Sequence, residues 1–328
     1  MVRHDAPYGL LERVFFDVKK LAMAINMAVI PVAGRGTRLL PVAKSQPKEM
    51  LPVGRKPVVQ YVVEELARCG LGRLLFVTGP GKTAIENHFD IDAELIDHLR
   101  ATGKEELLEE LAFERADLEY FYTRQRRQLG LGHAVLCAKA VVGREPFVVA
   151  LGDSIIGLNA QSRVVRVMID QFEESGADAV IALEEVPDED VVRYGIAVPR
   201  GAAAEVFELA DIVEKPDVGE VNSNLAVAAR YVLSPRIFDC LENTPPDRRG
   251  EIQLTDAIRM LIQQGRRVLG VRLSRSQTRF DIGNFGSYFE AFVDFALADP
   301  QYGEALQAHL RRKLALDAEA GSEAEPCG

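Results

Sequence analysis

The feature that most constrains this chain is an apolar run, Met27 to Ala33, that opens directly into Gly34-Arg35-Gly36-Thr37-Arg38. A short apolar run ended by glycine reads as a buried strand. Two close glycines then let the backbone approach a ligand, because no Cβ intervenes. Arg38, Lys44 and Lys48 follow within a few residues. Bare backbone N–H groups beside clustered cations suit a polyphosphate. Two common phosphate motifs are excluded. A dinucleotide-binding fingerprint needs a third glycine where Leu39 stands. A Walker A loop ending in Gly81-Lys82-Thr83 would need a glycine at position 76, where Phe76 stands.

Strands and helices alternate from Met27 onward. Pro57 stands where a helix can start, and Val58, Val59, Val62 and Leu66 give it an apolar face that Gly70 would end. Leu74–Thr78 is a short strand, and Lys82–Phe89 begins a helix. A charged helical stretch spans Asp92 to Leu111, divided by Gly103. Leu118–Arg124 reads as a strand and His133–Val142 as a helix. Phe147–Leu151 is a strand ending in Gly152-Asp153, followed by a helix over Val164–Phe172 and a strand over Ala179–Leu183. This rhythm predicts an α/β fold with a mostly parallel sheet covered by helices on both faces. After about residue 185 the rhythm changes. Short strands at Ile196–Pro199, Val206–Glu214 and Leu225–Leu233 predict a partly antiparallel extension, with helices at Leu254–Gln263 and Phe285–Leu297 and a strand at Val268–Leu273. Neither a linker nor a repeat interrupts the body.

The 328 residues and an apolar content of 48% allow one large body with a sizeable core. A net charge of −10 argues against broad nucleic-acid binding, which needs a positive footprint. Cys69, Cys137, Cys240 and Cys327 lack metal-ligand spacing and read as reduced thiols of a cytoplasmic protein. No apolar stretch approaches the roughly 20 residues that span a bilayer.

Residues 1–26 read as an extension. Glu12, Arg13, Asp17 and the Lys19-Lys20 pair break its apolar content, so it is not a secretory signal. It is either a short amphipathic helix or untranslated sequence upstream of a start at Met23 or Met27. As a helix it would gather Leu10, Leu11, Val14, Phe15, Val18 and Leu21 on one face, to pack against the protein's own surface or a neighbouring subunit. A homo-oligomer is expected. Leu316 to Gly328, rich in Ala and Glu, reads as a disordered tail.

The order glycine loop, Thr37-Arg38, Pro47-Lys48, Leu51-Pro52 resembles the signature of the nucleotide-sugar pyrophosphorylases. The Lys48-Glu49-Met50-Leu51-Pro52 ending is similar to the branch of UTP–glucose-1-phosphate uridylyltransferases. Further matching stretches follow in order over about residues 27 to 300. They are Lys56-Pro57, Val77–Lys82, the insertion Gly103–Leu108, Leu131–Val135, Gly152-Asp153, Tyr194–Ile196, Val213–Pro216 and Gly250–Asp256. The sequence departs from the pattern at Ser154-Ile155-Ile156, in the basic run Gln125-Arg126-Arg127-Gln128, and at Phe285, where a lysine is expected.

The resemblance implies a Rossmann-like mixed sheet of the nucleotide-diphospho-sugar transferase type. Its nucleotide half would span about 27–160 and its sugar half about 161–300, with a C-terminal helix and tail over 301–328. The implied reaction joins UTP and glucose 1-phosphate into UDP-glucose and pyrophosphate. Both reactants are highly anionic, so the protein must neutralise charge and hold the reacting atoms in line. Arg38, with the N–H groups from Ala33 and Gly34 to Gly36 and Thr37, is the candidate for the β- and γ-phosphates. Lys48 and Lys215 would meet the sugar phosphate or the α-phosphate from opposite sides; Glu214-Lys215-Pro216 by composition alone reads rather as a surface turn, and it is the resemblance that reverses this. Asp153, at the end of an apolar strand, suits Mg²⁺ or a helix N-cap. Asp281 is a second metal ligand or a turn residue. Gln125, whose amide can both donate and accept, and the backbone at Gly130 would read uracil. Gly195 and Glu214 would read glucose hydroxyls. His133 is assigned to packing rather than catalysis. A thymidylyltransferase and a catalytically silent nucleotide-sugar-binding subunit are the rival readings.

Overall fold

The structure, a computed structural model, describes residues 25–111, 113, 117–274 and 277–322. The elements in chain order are β1 (Met27–Pro31), β2 (Pro52–Val53), β3 (Lys56–Pro57), α1 (Val58–Arg68), β4 (Arg73–Thr78), α2 (Thr83–Phe89), α3 (Ala93–Ala101), β5 (Glu119–Arg124), α4 (Gly130–Leu136), α5 (Lys139–Val142), β6 (Phe147–Ala150) and β7 (Ser154–Ile156). They continue as α6 (Val164–Ser175), β8 (Ala179–Glu185), β9 (Gly195–Pro199), β10 (Val206–Glu214), β11 (Leu225–Leu233), α7 (Ile237–Asn243), α8 (Leu254–Gln263), β12 (Val268–Arg272), β13 (Arg279–Asp281), α9 (Phe285–Leu297) and α10 (Gly303–Ser322).

Nine strands form the main sheet in the order β5-β4-β1-β6-β11-β8-β12-β10-β9. Pairing is parallel from β5 through β6 and between β8 and β12. Strand β11 is antiparallel to both β6 and β8, and β10 is antiparallel to β9 and β12. The sheet is therefore mixed, as the patterning predicts, but the antiparallel part is not confined to an edge. All nine residues of β11 are buried, which a strand at the centre of a sheet covered on both faces requires.

Alternation along β1 divides the interior. Met27 and Val29 join a core under α4, α7 and α8, while Ala28 and Ile30 join one under α1, α2 and α6. Ile30 is fully buried, and truncating such a residue to alanine typically removes about 2–5 kcal/mol of stability. A third, smaller cluster lies where α9 meets β2 and β13, around Leu51, Phe280 and Phe295.

The expected helix over His133–Val142 is two short helices, α4 and α5. The Gly103–Leu108 insertion is a 3-10 turn at Glu105–Glu109 after α3. Helix α10 runs to Ser322, into the stretch read as a disordered tail. The N-terminal extension over residues 1–24 and the tail's last residues, 323–328, lie outside the described residues. Among the described residues no helix is long and apolar enough to cross a membrane, and Cys69, Cys137 and Cys240 are free thiols.

Candidate active site

The glycine loop leaves the carboxyl end of β1 and closes in a 3-10 turn over Thr37–Leu39. Gly36 sits in the left-handed region, φ 65°, at the entry to that turn. After a further 3-10 turn at Val42–Lys44, a third, Lys48–Met50, folds back over the loop. A Cβ on Gly34 would lie 3.8 Å from the Lys48 ammonium. A cleft of about 680 Å³ opens on the loop, bounded by Gly34, Thr37, Lys44, Gln46 and Arg127. Gln128 Nε2 donates to the Ala33 carbonyl at 2.6 Å, and Arg35 donates to the Gln128 amide oxygen, so the basic run clasps the loop.

Lys82 is not a phosphate-loop lysine. It pairs at 2.7 Å with Glu49 in a nearly water-free contact, and burial pushes the Glu49 carboxyl up.

Asp153 and Asp281, far apart in sequence, are brought together by a ribbon that the sequence reading did not contain. Strand β7 pairs antiparallel with β13, with Asp281 opposite Ser154, and the Ile282 N–H donates to the Asp153 carbonyl at 2.9 Å. Lys48 donates to Asp153. Burial alone would raise the Asp153 pKa, but the Lys48 ammonium overrides it and holds the carboxyl below its ordinary value. Burial, then the charge of Asp153, pushes Asp281 up. Arg38 reaches the same place: a Cβ on Gly283 would lie 3.1 Å from both Arg38 Nη2 and Asp281 Oδ1. Arg38, Lys48, Asp153 and Asp281 thus form one cluster beside the glycine loop.

Two carboxylates brought together at the β7–β13 ribbon, one of them raised by burial and then by its neighbour's charge, fit a hard divalent cation. Among the described residues no group of three or more His, Cys, Asp or Glu is placed to hold a metal. A two-carboxylate site suits Mg²⁺, which usually keeps water and phosphate oxygens in its shell.

Gln125 is buried at the end of β5. Its amide nitrogen donates to the Gly130 carbonyl at 2.9 Å and lies 3.0 Å from His133 Nδ1. Donation to Gly130 turns the amide nitrogen toward the protein, so the carbonyl oxygen is the end left for a ligand. His133 packs beside the Gln125 amide, and burial lowers its pKa. Gly130, φ 92°, leaves no room for a side chain: a Cβ would lie 2.7 Å from the Ile252 carbonyl.

On the opposite side, Gly195 and Glu214 are cross-strand partners of β9 and β10. A Cβ on Gly195 would lie 3.1 Å from Glu214 Oε2. Lys215, at φ 44°, pairs with Glu214 at 2.8 Å, and its side chain is 42% exposed. Its ion pair is with Glu214 and not with a member of the Asp153 cluster.

Three buried charges escaped the sequence reading. Arg230 of β11 and Glu65 of α1 pair at 2.7 Å with no exposure, and Arg230 also donates to the Ser154 carbonyl at 2.8 Å. Arg279 donates to Glu184. The available signal was a lone arginine inside the apolar run Leu225–Leu233 and a lone arginine ahead of Phe280-Asp281.

Fold and cluster together define a protein that handles phosphate groups at the carboxyl edge of an α/β sheet. Residues 27–297 match the family described as nucleotidyl transferase, and the chain belongs to that family. The UTP–glucose-1-phosphate uridylyltransferase of Staphylococcus epidermidis is 41% identical over 288 residues, which cover 88% of this chain and 98% of that protein. A UTP-bound UGPase from Acinetobacter baumannii superposes with a TM-score of 0.80 at 40% identity, covering 87% of this chain and 98% of that one. A UDP-glucose pyrophosphorylase complexed with UDP-glucose superposes with a TM-score of 0.74 at 36% identity, covering 83% and 98%.

Proposed function

We propose that this protein transfers a uridylyl group from UTP to glucose 1-phosphate, giving UDP-glucose and pyrophosphate. The observation that carries the reading is the meeting of Arg38, Lys48, Asp153 and Asp281 beside the glycine loop. Likeness to uridylyltransferases over most of the chain supports it.

A phosphate oxygen of glucose 1-phosphate attacks the α-phosphorus of UTP in line, and pyrophosphate leaves. The attacking oxygen is already ionised, so no side-chain base is needed. The loop N–H groups and Arg38 take the β- and γ-phosphates. Lys48 takes the sugar phosphate or α-phosphate, and Lys215 closes from the other side. Both lysines rest on carboxylates, Lys48 on Asp153 and Lys215 on Glu214. Substrate phosphates must compete for them. Asp153 and Asp281 would hold Mg²⁺, which when bound supplies Lewis-acid neutralisation of phosphate oxygens. The Gln125 carbonyl accepts from the uracil N3–H, and Gly195 with Glu214 orients the glucose hydroxyls. A cytoplasmic location, supported by the free thiols, and a homo-oligomeric state belong to the same reading.

Pyrophosphate release from purified protein tests it, with UTP, dTTP, GTP or ATP against glucose 1-phosphate, with and without Mg²⁺. UTP should be fastest and the reaction Mg²⁺-dependent. Clearly faster turnover with dTTP would sink the uridylyl assignment.

A further inference from the structure

Arg279 begins β13, two residues before Asp281. Its side chain is only 8% exposed. It touches three elements. Its Nε donates to Glu184 near the end of β8. Its guanidinium lies 3.7 Å from the Asp281 carboxylate. It also stands 5.1 Å from the centre of the Tyr194 ring. Tyr194 immediately precedes Gly195, and its carbonyl accepts the Lys215 backbone N–H at 3.0 Å. One guanidinium therefore spans from the carboxylate pair to the loop that carries the sugar-side residues.

Burying a guanidinium is expensive, and carboxylate partners offset that only where the geometry is good. A planar fork can satisfy two carboxylates and stack on a ring at once, whereas an ammonium cannot. Arg279 hydrogen-bonds one carboxylate, Glu184, and lies within ion-pair reach of Asp281 and within cation–π reach of the Tyr194 ring. Lys48 approaches the pair from the Asp153 side, so Arg279 is the residue that fixes Asp281 from its own strand.

We propose that Arg279 is a positioning residue that couples sugar-phosphate binding to the carboxylate pair. It holds Asp281 in place against Asp153 and sets Tyr194, hence Gly195 and Lys215, on the other side. The inference rests on the function proposed above, and its test is built to fail separately from it.

Three full-length variants serve, each checked by thermal melting. Arg279→Lys keeps the charge but not the fork. Glu184→Gln removes the far anchor. Tyr194→Leu removes the ring at a half-buried position. Two quantities are measured. The first is Mn²⁺ affinity of the substrate-free protein, by titration calorimetry. The second is KM for glucose 1-phosphate and for UTP. Groups that orient metal-binding carboxylates are typically worth about 10–100-fold in metal affinity. Arg279→Lys should weaken Mn²⁺ binding about tenfold and raise KM for glucose 1-phosphate about tenfold, with KM for UTP within about threefold. Tyr194→Leu should move both quantities in the same directions although it touches neither aspartate. Glu184→Gln should reproduce the KM split. Unchanged Mn²⁺ affinity in folded Tyr194→Leu would overturn the coupling. Equal rises in both KM values would reduce Arg279 to a structural residue. Should Arg279→Lys not fold, the other two variants decide. Wild-type protein inactive with UTP would defeat the proposed function and leave the Mn²⁺ comparison standing.

Discussion

The two sides of the site hold their cations differently. On the nucleotide side, Lys48 rests on Asp153 and Lys82 on Glu49, both largely shielded from water. On the sugar side, Lys215 rests on Glu214 with 42% of its side chain exposed. A shielded pair is part of the fold, because removing one partner strands the other charge. An exposed pair contributes little to stability. Substitutions on the nucleotide side should therefore change activity and stability together, and those on the sugar side activity alone.

The hardest test is Asp153→Asn. Losing the carboxylate that faces Asp281 should lower kcat by roughly a thousandfold, about 4 kcal/mol, and weaken the Mg²⁺ response. It should also lower the melting temperature, because Lys48 loses its partner. A variant that lost stability but kept its metal response would return Asp153 to a purely structural role. Arg230→Met probes a fully buried pair that also holds the Ser154 carbonyl, next to Asp153. It leaves Glu65 uncompensated, so unfolding free energy should fall by about 3–5 kcal/mol. Urea unfolding measures this, and an unchanged midpoint would contradict the account of shielded pairs.

Lys215→Ala should lower kcat about a hundredfold, since losing one preorganised stabilising group typically costs roughly 3 kcal/mol. Its melting temperature should stay at the wild-type value. Near-wild-type kcat would make Lys215 a surface-turn residue, and a clear loss of stability would break the contrast between the two sides.

The smallest effect concerns pH. Burial and Asp153 raise the folded-state pKa of Asp281. The folded protein therefore holds that proton more tightly than the unfolded chain. The associated stability is present below the ordinary aspartate pKa and is lost as pH rises through the raised value. Asp281→Asn, melted in the presence of a chelator, should thus be slightly more stable than wild type at neutral pH, with the gain vanishing in acid. Its activity should fall. A gain that grew toward acid would reverse the sign of the argument.

The same contrast explains what the sequence could disclose. The nucleotide-side loop is contiguous, from Ala33 to Lys48, so its glycines and cations can be read in one stretch. Parallel strands and their helices repeat with a regular period, and most of their bounds agree with the structure. Asp153 could be singled out at a strand end, but its meeting with Asp281 depends on the short β7–β13 ribbon, which carries no period to read. Gly195 and Glu214 face each other only through the register of β9 and β10. The buried charges Arg230 and Arg279 acquire meaning only when a partner arrives from another element. Patterning reports local structure, and these are long-range pairings.

Strand β11 also sets an order on synthesis. The parallel strands of the nucleotide half leave the ribosome early, but the free edge of β6 has no neighbour until residues 225–233 emerge. Growing chains would carry an exposed apolar edge through that interval, an invitation to self-association. A chain stopped near residue 160 would keep that edge open permanently. The first half to be made is thus completed by a strand from the second.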